Sequence, residues 1–254
     1  DAGGFGGSGF DISVVFEALG RANCPEPILP ALLAARLLTK AEVDQETLLS
    51  GGTHYAVALG EIEAPYELND IQTVAAVKGA DYTLSGRKSA VYGGHIAEVF
   101  LVVAKLNDKL SLFEVAASDA SVESYGLIDG GGAAELLLDN TPARMVMEDA
   151  AAAVQDVMNV GTLAVCAEAI GLMDVIHDTT LEYMKMRNQF GKPIGSFQAL
   201  QHRAVDMLME IEQARSIVIK AASELEGENA ARYISMAKNL VGRAARLNAE
   251  EAIQ

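Results

Sequence analysis

The stretch 148–254 reads as helix almost without interruption, and its one sharp break, Gly191-Lys-Pro-Ile-Gly195, holds two glycines and a proline. Before that break, apolar residues recur at Leu172, Val175, Ile176, Thr179, Tyr183 and Met186, with Asp174, Asp178, Glu182 and Lys185 opposite. This is the spacing of one helical face. Met184 and Met186 flank that face as packing residues. After the break a second row runs through Leu200, Ala204, Met207, Leu208, Ile211, Ala214, Val218 and Ala221, and a third pattern covers 230–253. Three long helices with short loops bury such rows only against one another, which predicts an up-and-down bundle.

The preceding zones obey other periods. Residues 55–59, 74–77, 82–84, 89–92, 99–104, 110–115 and 134–138 read as short strands. Turn signals punctuate them at Lys78-Gly79, Gly86, Gly93-Gly94, Asn107-Asp108 and Asp129-Gly-Gly-Gly132. Such spacing predicts an antiparallel sandwich or barrel, not βαβ units. At the start, residues 1–10 read as a glycine-rich loop, and 12–22 and 29–38 as helices separated by Pro25, Pro27 and Pro30, which cannot donate an intrahelical bond. The expected fold is α+β, with helices over 1–51, a β-domain over 52–147 and a helical bundle over 148–254. The chain opens on Asp1, and the helical pattern still runs at Gln254, so a piece of a longer protein is expected.

Composition excludes several roles. With 19 Lys plus Arg against 35 Asp plus Glu, the formal net charge is −16, which argues against nucleic-acid and anionic-membrane binding. No purely apolar run nears the roughly 18 residues of a membrane span, and no secretory signal pattern is seen. Cys24 and Cys166 are too few for a disulfide framework, which points to a reducing, cytoplasmic setting. His54, His95, His177 and His202 lack metal-ligand spacing, and His177 and His202 read as surface or cap residues. Ser8 and Ser111 lie in no nucleophile elbow. The stretch Gly4-Phe-Gly6-Gly-Ser-Gly9 nearly matches a dinucleotide loop, but no strand precedes it.

The most informative segment is Arg187-Asn-Gln-Phe-Gly-Lys-Pro-Ile-Gly-Ser-Phe-Gln-Ala-Leu-Gln-His-Arg-Ala-Val-Asp-Met207. It ends one helix on an Arg, turns sharply and opens another, with Ser196 as the expected N-cap. A guanidinium offers a bidentate fork to phosphate, and a helix start offers free amides. Phe190, Phe197, Gln198 and Gln201 add ring and amide groups. By spacing alone, an inter-helix loop with a capping Arg is the favoured reading and the ligand-holding corner the weaker one.

The order Arg, Phe-Gly, Pro-Ile, Phe-Gln, Gln-His, Ala, Asp-Met closely resembles the acyl-CoA dehydrogenase family. Glu17-Ala-Leu-Gly-Arg21 is similar to the end of that family's N-terminal helical domain, and Gly86-Arg-Lys-Ser-Ala-Val-Tyr-Gly-Gly94 to its Gly-x-Lys strand. The resemblance implies an oxidoreductase that holds FAD between the β-domain and the bundle, across a dimer interface. It implies that a glutamate takes the proton α to an acyl-CoA thioester and that hydride passes to flavin N5. The product is then a 2-enoyl-CoA, and the electrons go to an electron-transferring flavoprotein. By the same resemblance Arg187, Gln189 and Phe190 approach the FAD of a neighbouring subunit, with Phe197 and Gln198 flanking it. Ala90, Val91 and Tyr92 pass the flavin ring.

The chain also departs from the family pattern. In Ala56-Val-Ala-Leu-Gly-Glu-Ile-Glu-Ala-Pro-Tyr66, Gly60 stands in the Thr slot and Ile62 in the Pro slot of the family's Thr-Glu-Pro motif. The Gly-Ser-Asp turn that follows in the family is absent. Gly161 occupies one slot for the catalytic Glu, and Thr162 that of an adjoining Arg. Glu168 and Glu182 read as helix carboxylates, so the base is expected beyond Gln254 or in a partner subunit. The combination resembles the divergent small subunits of heteromeric pimeloyl-CoA and steroid side-chain acyl-CoA dehydrogenases, and it predicts a homo-oligomer or a hetero-oligomer with a related subunit. The alternatives are a catalytically silent partner subunit and an unrelated α+β binding protein.

Overall fold

A computed structural model describes residues 7–64, 67–79 and 81–254. The helices are α1 (Gly9–Ala22), α2 (Ile28–Lys40), α3 (Glu46–Leu49), α4 (Ala151–Met186), α5 (Gln198–Ser223) and α6 (Ala230–Ile253). The strands are β1 (Tyr55–Ala58), β2 (Val74–Lys78), β3 (Asp81–Tyr92), β4 (Val99–Leu106), β5 (Lys109–Ala116), β6 (Ser121–Gly126), β7 (Gly132–Met147), β8 (Asn188–Gln189) and β9 (Lys192–Pro193). Among the described residues two compact units emerge, one over 25–158 and one that joins 7–24 to 159–254, so the division falls inside α4.

In the unit over 25–158 the pairings β4–β2–β3–β7–β5–β4 close on themselves, which makes a barrel. Most are antiparallel, but β1 and β2 both run parallel to β4 along one edge, at Val99–Val102 and at Lys105. β4 reads as a continuous apolar run because both of its faces are covered. Phe100, Val102 and Ala104 point inward with Leu84, Phe113 and Leu136. Leu101 and Val103 point outward to a second core with Leu37, Leu38 and Val154. The two short strands expected at 82–84 and 89–92 are one strand, β3, with irregularities at Gly86 and after Lys88. β6 escaped the sequence reading because it is polar and almost wholly exposed, an edge strand held by β7 alone.

In the other unit α1 starts earlier than its apolar pattern, at Gly9 rather than 12. Ser8 and Asp11 form a capping box that satisfies the first free amides. The near-dinucleotide stretch therefore ends in a helix cap, and its residues 4–6 lie outside the described residues. Pro30 lies in the first turn of α2 in the barrel unit, where no intrahelical donor is needed, so it does not separate the helices as expected. Gly20 and Gly171 let α1 and α4 touch backbone to backbone: a Cβ at Gly20 would lie 2.0 Å from the Glu168 carbonyl oxygen. Arg215 ties Glu17 (2.6 Å) to Asp174 (2.8 Å), so Asp174 does not belong to an outward polar face.

The buried row of α4 also differs from the expected one. It runs through Ile170, Met173, His177 and Met184, whereas Val175, Tyr183 and Met186 are exposed. His177 conceals the true row, because a polar residue interrupts it. Its Nε2 lies 3.0 Å from the Ala204 carbonyl, so it is a buried, partnered group rather than a surface or cap residue. Along α5 the buried residues Ala204, Met207, Ile211, Ala214, Val218 and Ala221 alternate spacings of three and four, and Ile234, Ala237, Val241 and Ala244 do so on α6. That is a narrow antiparallel seam, close-set because alanine fills half of it. Although no purely apolar run is long, α4 as a whole is long and apolar enough to cross a membrane by length and composition alone. Half of its apolar window is buried inside the protein, as in a core helix.

Candidate functional site

The break between α4 and α5 is a small hairpin. Asn188 pairs with Pro193 and Gln189 with Lys192, and the Ile194 amide donates to the Arg187 carbonyl at 2.8 Å. The two turn residues, Phe190 (φ +54) and Gly191 (φ +81), both have positive φ, as a two-residue hairpin turn with a right-handed strand twist demands. Gly191 adopts it freely, but a phenylalanine there is strained. Phe190 is nevertheless 90% exposed, so no packing of its own explains the strain. Its ring meets Phe197 edge-on at 6.1 Å, and the Lys192 ammonium lies 4.3 Å from the Phe197 ring centre. Ser196 is not the N-cap of α5: its hydroxyl donates to the Pro193 carbonyl at 2.7 Å, and Phe197 occupies the cap position. The Gln201 amide reaches back to the Gly195 carbonyl and holds the loop on the helix.

The hairpin thus gathers Arg187, Gln189, Phe190, Phe197 and Gln198 on one exposed corner. In this acidic chain Arg21, Arg36, Arg87, Arg144, Arg203, Arg215 and Arg246 all pair with carboxylates. Arg187 and Lys192 pair with none among the described residues. Two unspent cations beside two aromatic rings suit an anionic ligand with a planar group. An almost wholly apolar groove of about 320 Å³ adjoins the hairpin, lined by His177, Leu181, Met184, Gly195, Gln201 and Leu208.

Ala90, Val91 and Tyr92 belong to the barrel unit. Ala90 is exposed and Tyr92 half-buried on the outer side of β3, but Val91 is 2% exposed in the barrel core and offers a ligand no side chain. Beneath this stretch lies a group that sequence reasoning missed. The Lys88 ammonium, fully buried, donates to Glu61 Oε1 at 2.7 Å and to the Leu59 carbonyl at 3.1 Å. Glu61 also accepts from the Gln72 amide (2.6 Å), the Thr73 amide (3.1 Å) and the Thr73 hydroxyl (2.6 Å). Burial opposes the charge on Glu61, yet Lys88, Thr73 and the Gln72 amide outweigh it and hold the carboxyl below its usual range. Burial dominates at Lys88 and pulls it down to about 8. A lysine at the buried phase of a strand was the available signal. The pair pins the segment that carries Gly60, whose carbonyl also accepts from the Ser89 amide at 2.9 Å.

The carboxylates set aside from the sequence stay outside any such cluster. Glu182 pairs with Lys185 at 2.6 Å, and Glu168 gives its backbone to the contact with Gly20. No group of three or more potential metal ligands occurs among the described residues.

Residues 151–254 match the acyl-CoA dehydrogenase C-terminal domain. Over 98% of its length the chain is 29% identical to L-prolyl-(peptidyl-carrier protein) dehydrogenase of Serratia sp., of which it covers 72%. It is 29% identical to acyl-CoA dehydrogenase FadE34 of Mycobacterium tuberculosis over 100% of the chain. The C-terminal part of the chain thus matches the acyl-CoA dehydrogenase family, and the whole chain is similar to its members. Among solved structures, PigA with FAD and proline superposes with a TM-score of 0.91 at 26% identity, covering 100% of this chain and 73% of that one. The ChsE4-ChsE5 complex from Mycobacterium tuberculosis gives 0.88 at 27%, covering 99% and 70%. The chain spans 64% of the probable acyl-CoA dehydrogenase YngJ of Bacillus subtilis and 34% of FadE34.

Proposed function

We propose that this chain is an FAD-binding subunit of an acyl-CoA dehydrogenase, working with a second subunit of the same family or a second copy. The observation that carries the proposal is the hairpin corner, where a strained, exposed Phe190 sits beside the unpaired cations Arg187 and Lys192. The hairpin turn requires this strain, and placing a phenylalanine rather than a glycine in it displays an exposed ring, which motivates a ligand-site hypothesis. The residues suit a flavin nucleotide: Arg187 presents its fork to the pyrophosphate of the neighbouring subunit's FAD, Lys192 adds a second positive charge, and Phe190 and Phe197 present ring edges to the adenosine part. Gln189 and Gln198 supply amide contacts. On the barrel, Ala90 and Tyr92 line the flavin ring, while the buried Glu61–Lys88 pair keeps the Gly60 segment in place.

FAD, when bound, supplies the hydride acceptor for α,β-dehydrogenation of an acyl-CoA thioester to a 2-enoyl-CoA, with electrons passing on to an electron-transferring flavoprotein. Two similar proteins support the partners: the ChsE4-ChsE5 complex, and the caffeyl-CoA reductase-Etf complex subunit CarC of Acetobacterium woodii, 26% identical to this chain. Cys24 and Cys166 form no disulfide, which suits the reducing compartment such a pathway needs. A second reading, a catalytically silent partner subunit, is favoured by Gly161 and Thr162 on α4 where the family places a catalytic Glu and an adjoining Arg.

The test is titration of the purified chain with FAD, followed by flavin fluorescence and the visible spectrum, alone and with its partner subunit. Arg187→Ala is expected to weaken binding by about 10- to 100-fold, the worth of one charge-assisted phosphate contact. No flavin uptake in either form, or uptake indifferent to Arg187, overturns the proposal. Dye reduction by an acyl-CoA panel then separates the active from the silent subunit.

A further inference from the structure

Strand β3 does not pair evenly with β7. Lys88 stands opposite Leu136 and Val91 opposite Ala134, so Ser89 and Ala90 together face the single residue Glu135. This is a β-bulge, and it changes which side each later residue faces. In an unbroken strand buried positions alternate by two, but here Lys88 and Val91, three apart, are both buried. Ala90 and Tyr92 are thereby turned outward. The bulge carries strain, since Ala90 has φ +51 and is not glycine.

The residue opposite the bulge is also the one that grips it. Glu135 Oε1 accepts from the Ala90 amide at 3.1 Å and the Tyr125 hydroxyl at 3.2 Å. Its Oε2 accepts from the Ser89 hydroxyl at 2.8 Å and from Arg87 Nη2 and Nε at 3.0 and 3.1 Å. Four neighbouring residues converge on one carboxylate. Two of them are the bulged residues themselves. Tyr125, which Glu135 holds directly, and Tyr92 both stand opposite Ala133.

We propose that Glu135 is a positioning residue: its carboxylate holds the β3 bulge in the one phase that presents Ala90 and Tyr92 to the flavin ring. The proposal rests on the flavin reading above and adds to it a residue that touches no cofactor. Without the carboxylate, the Ala90 amide and Ser89 hydroxyl lose their acceptor while Ala90 keeps its unfavourable φ. The bulge then relaxes toward regular pairing, and Tyr92 swings out of place. A glycine at position 90 removes the strain that the carboxylate offsets.

The experiment compares FAD affinity and the visible circular dichroism of bound flavin in the wild type, Glu135→Gln, and Glu135→Gln/Ala90→Gly, with thermal melts of each. The wild type is expected to bind FAD. Glu135→Gln should bind about tenfold more weakly, as for the loss of one charge-assisted hydrogen-bond set, with an altered dichroism band. The double variant should recover the wild-type band and most of the affinity. A general loss of stability would not be repaired by glycine at that position. A Glu135→Gln protein with wild-type affinity and dichroism, or a double variant no better than the single one, overturns the positioning role and leaves the flavin reading intact. A wild type that binds no FAD, alone or with its partner subunit, overturns both.

Discussion

Lys88 and Arg187 place their charges in opposite ways. The Lys88 ammonium has no exposure, and every contact it makes is internal: Glu61 at 2.7 Å and the Leu59 carbonyl at 3.1 Å. Arg187 stands exposed on a strained hairpin without a carboxylate partner among the described residues, in a chain where most other arginines have one. A charge enclosed by its own partners maintains a shape, and a charge without a carboxylate partner beside the exposed Phe190 ring is, on the function proposed above, available to a ligand. The difference separates the two units: the barrel carries the internal device, the bundle the outward one.

The comparison breaks first, and most visibly, at Lys88. Lys88→Met leaves the Glu61 carboxylate buried without its cation, which is expected to cost about 3–5 kcal/mol of stability. Lys88→Met/Glu61→Gln, which removes both charges, should recover most of that loss in urea melts. If the single variant is as stable as the wild type, the pair does not hold the barrel.

Next in size is the close approach of α1 to α4. Gly20→Ala drives a methyl group into the Glu168 carbonyl at 2.0 Å. A loss of about 2–3 kcal/mol is expected, the range for overpacking that backbone cannot relieve. It should appear in the helical bundle and leave hydrogen exchange in the barrel strands unchanged.

Acid provides a smaller and graded test. Burial opposes charge on Asp156 and on Glu61. Arg36 and Lys40 outweigh it at Asp156, as Lys88, Thr73 and Gln72 do at Glu61, and both carboxyls lie below their usual range. Below the unfolded carboxylate pKa of about 4 the unfolded chain binds more protons than the folded one, so their stabilisation is present above that pH and lost as pH falls toward the folded values. Glu61→Gln should flatten the acid limb of the stability curve, whereas Arg187→Ala should leave it unchanged.

What could be read from the sequence follows from the same contrast. The bundle was legible because its seams repeat: Ala204, Met207, Ile211, Ala214 and Val218 keep their spacing whatever they pack against. Its first helix misled because His177 sits in the buried row and satisfies itself on the Ala204 carbonyl, a contact that no periodicity reveals. Strands β4 and β5 announce themselves by apolar runs, while β6 is polar and exists because β7 pairs with it. The corner at 187–198 was legible by resemblance, but its hairpin, the Lys192–Phe197 contact and the true cap at Phe197 depend on backbone angles. Glu61, Lys88 and Glu135 were invisible as a set, since each acts through residues at distant positions in the chain.

The finest test lies at Phe190, where stability and function should separate. At φ +54 a non-glycine residue costs about 1–2 kcal/mol, and the ring, 90% exposed, recovers little of it by packing. Glycine removes that strain but adds chain entropy to the unfolded state, worth about 0.5–1 kcal/mol in the opposite sense. Phe190→Gly should therefore melt within a degree or two of the wild type, or slightly above it, because the two terms nearly cancel. FAD affinity should nonetheless fall, since the ring that the strain displays is gone. A variant that loses stability and keeps its flavin would mean that Phe190 serves the fold, and the outward corner would then be of the same kind as the buried pair in the barrel.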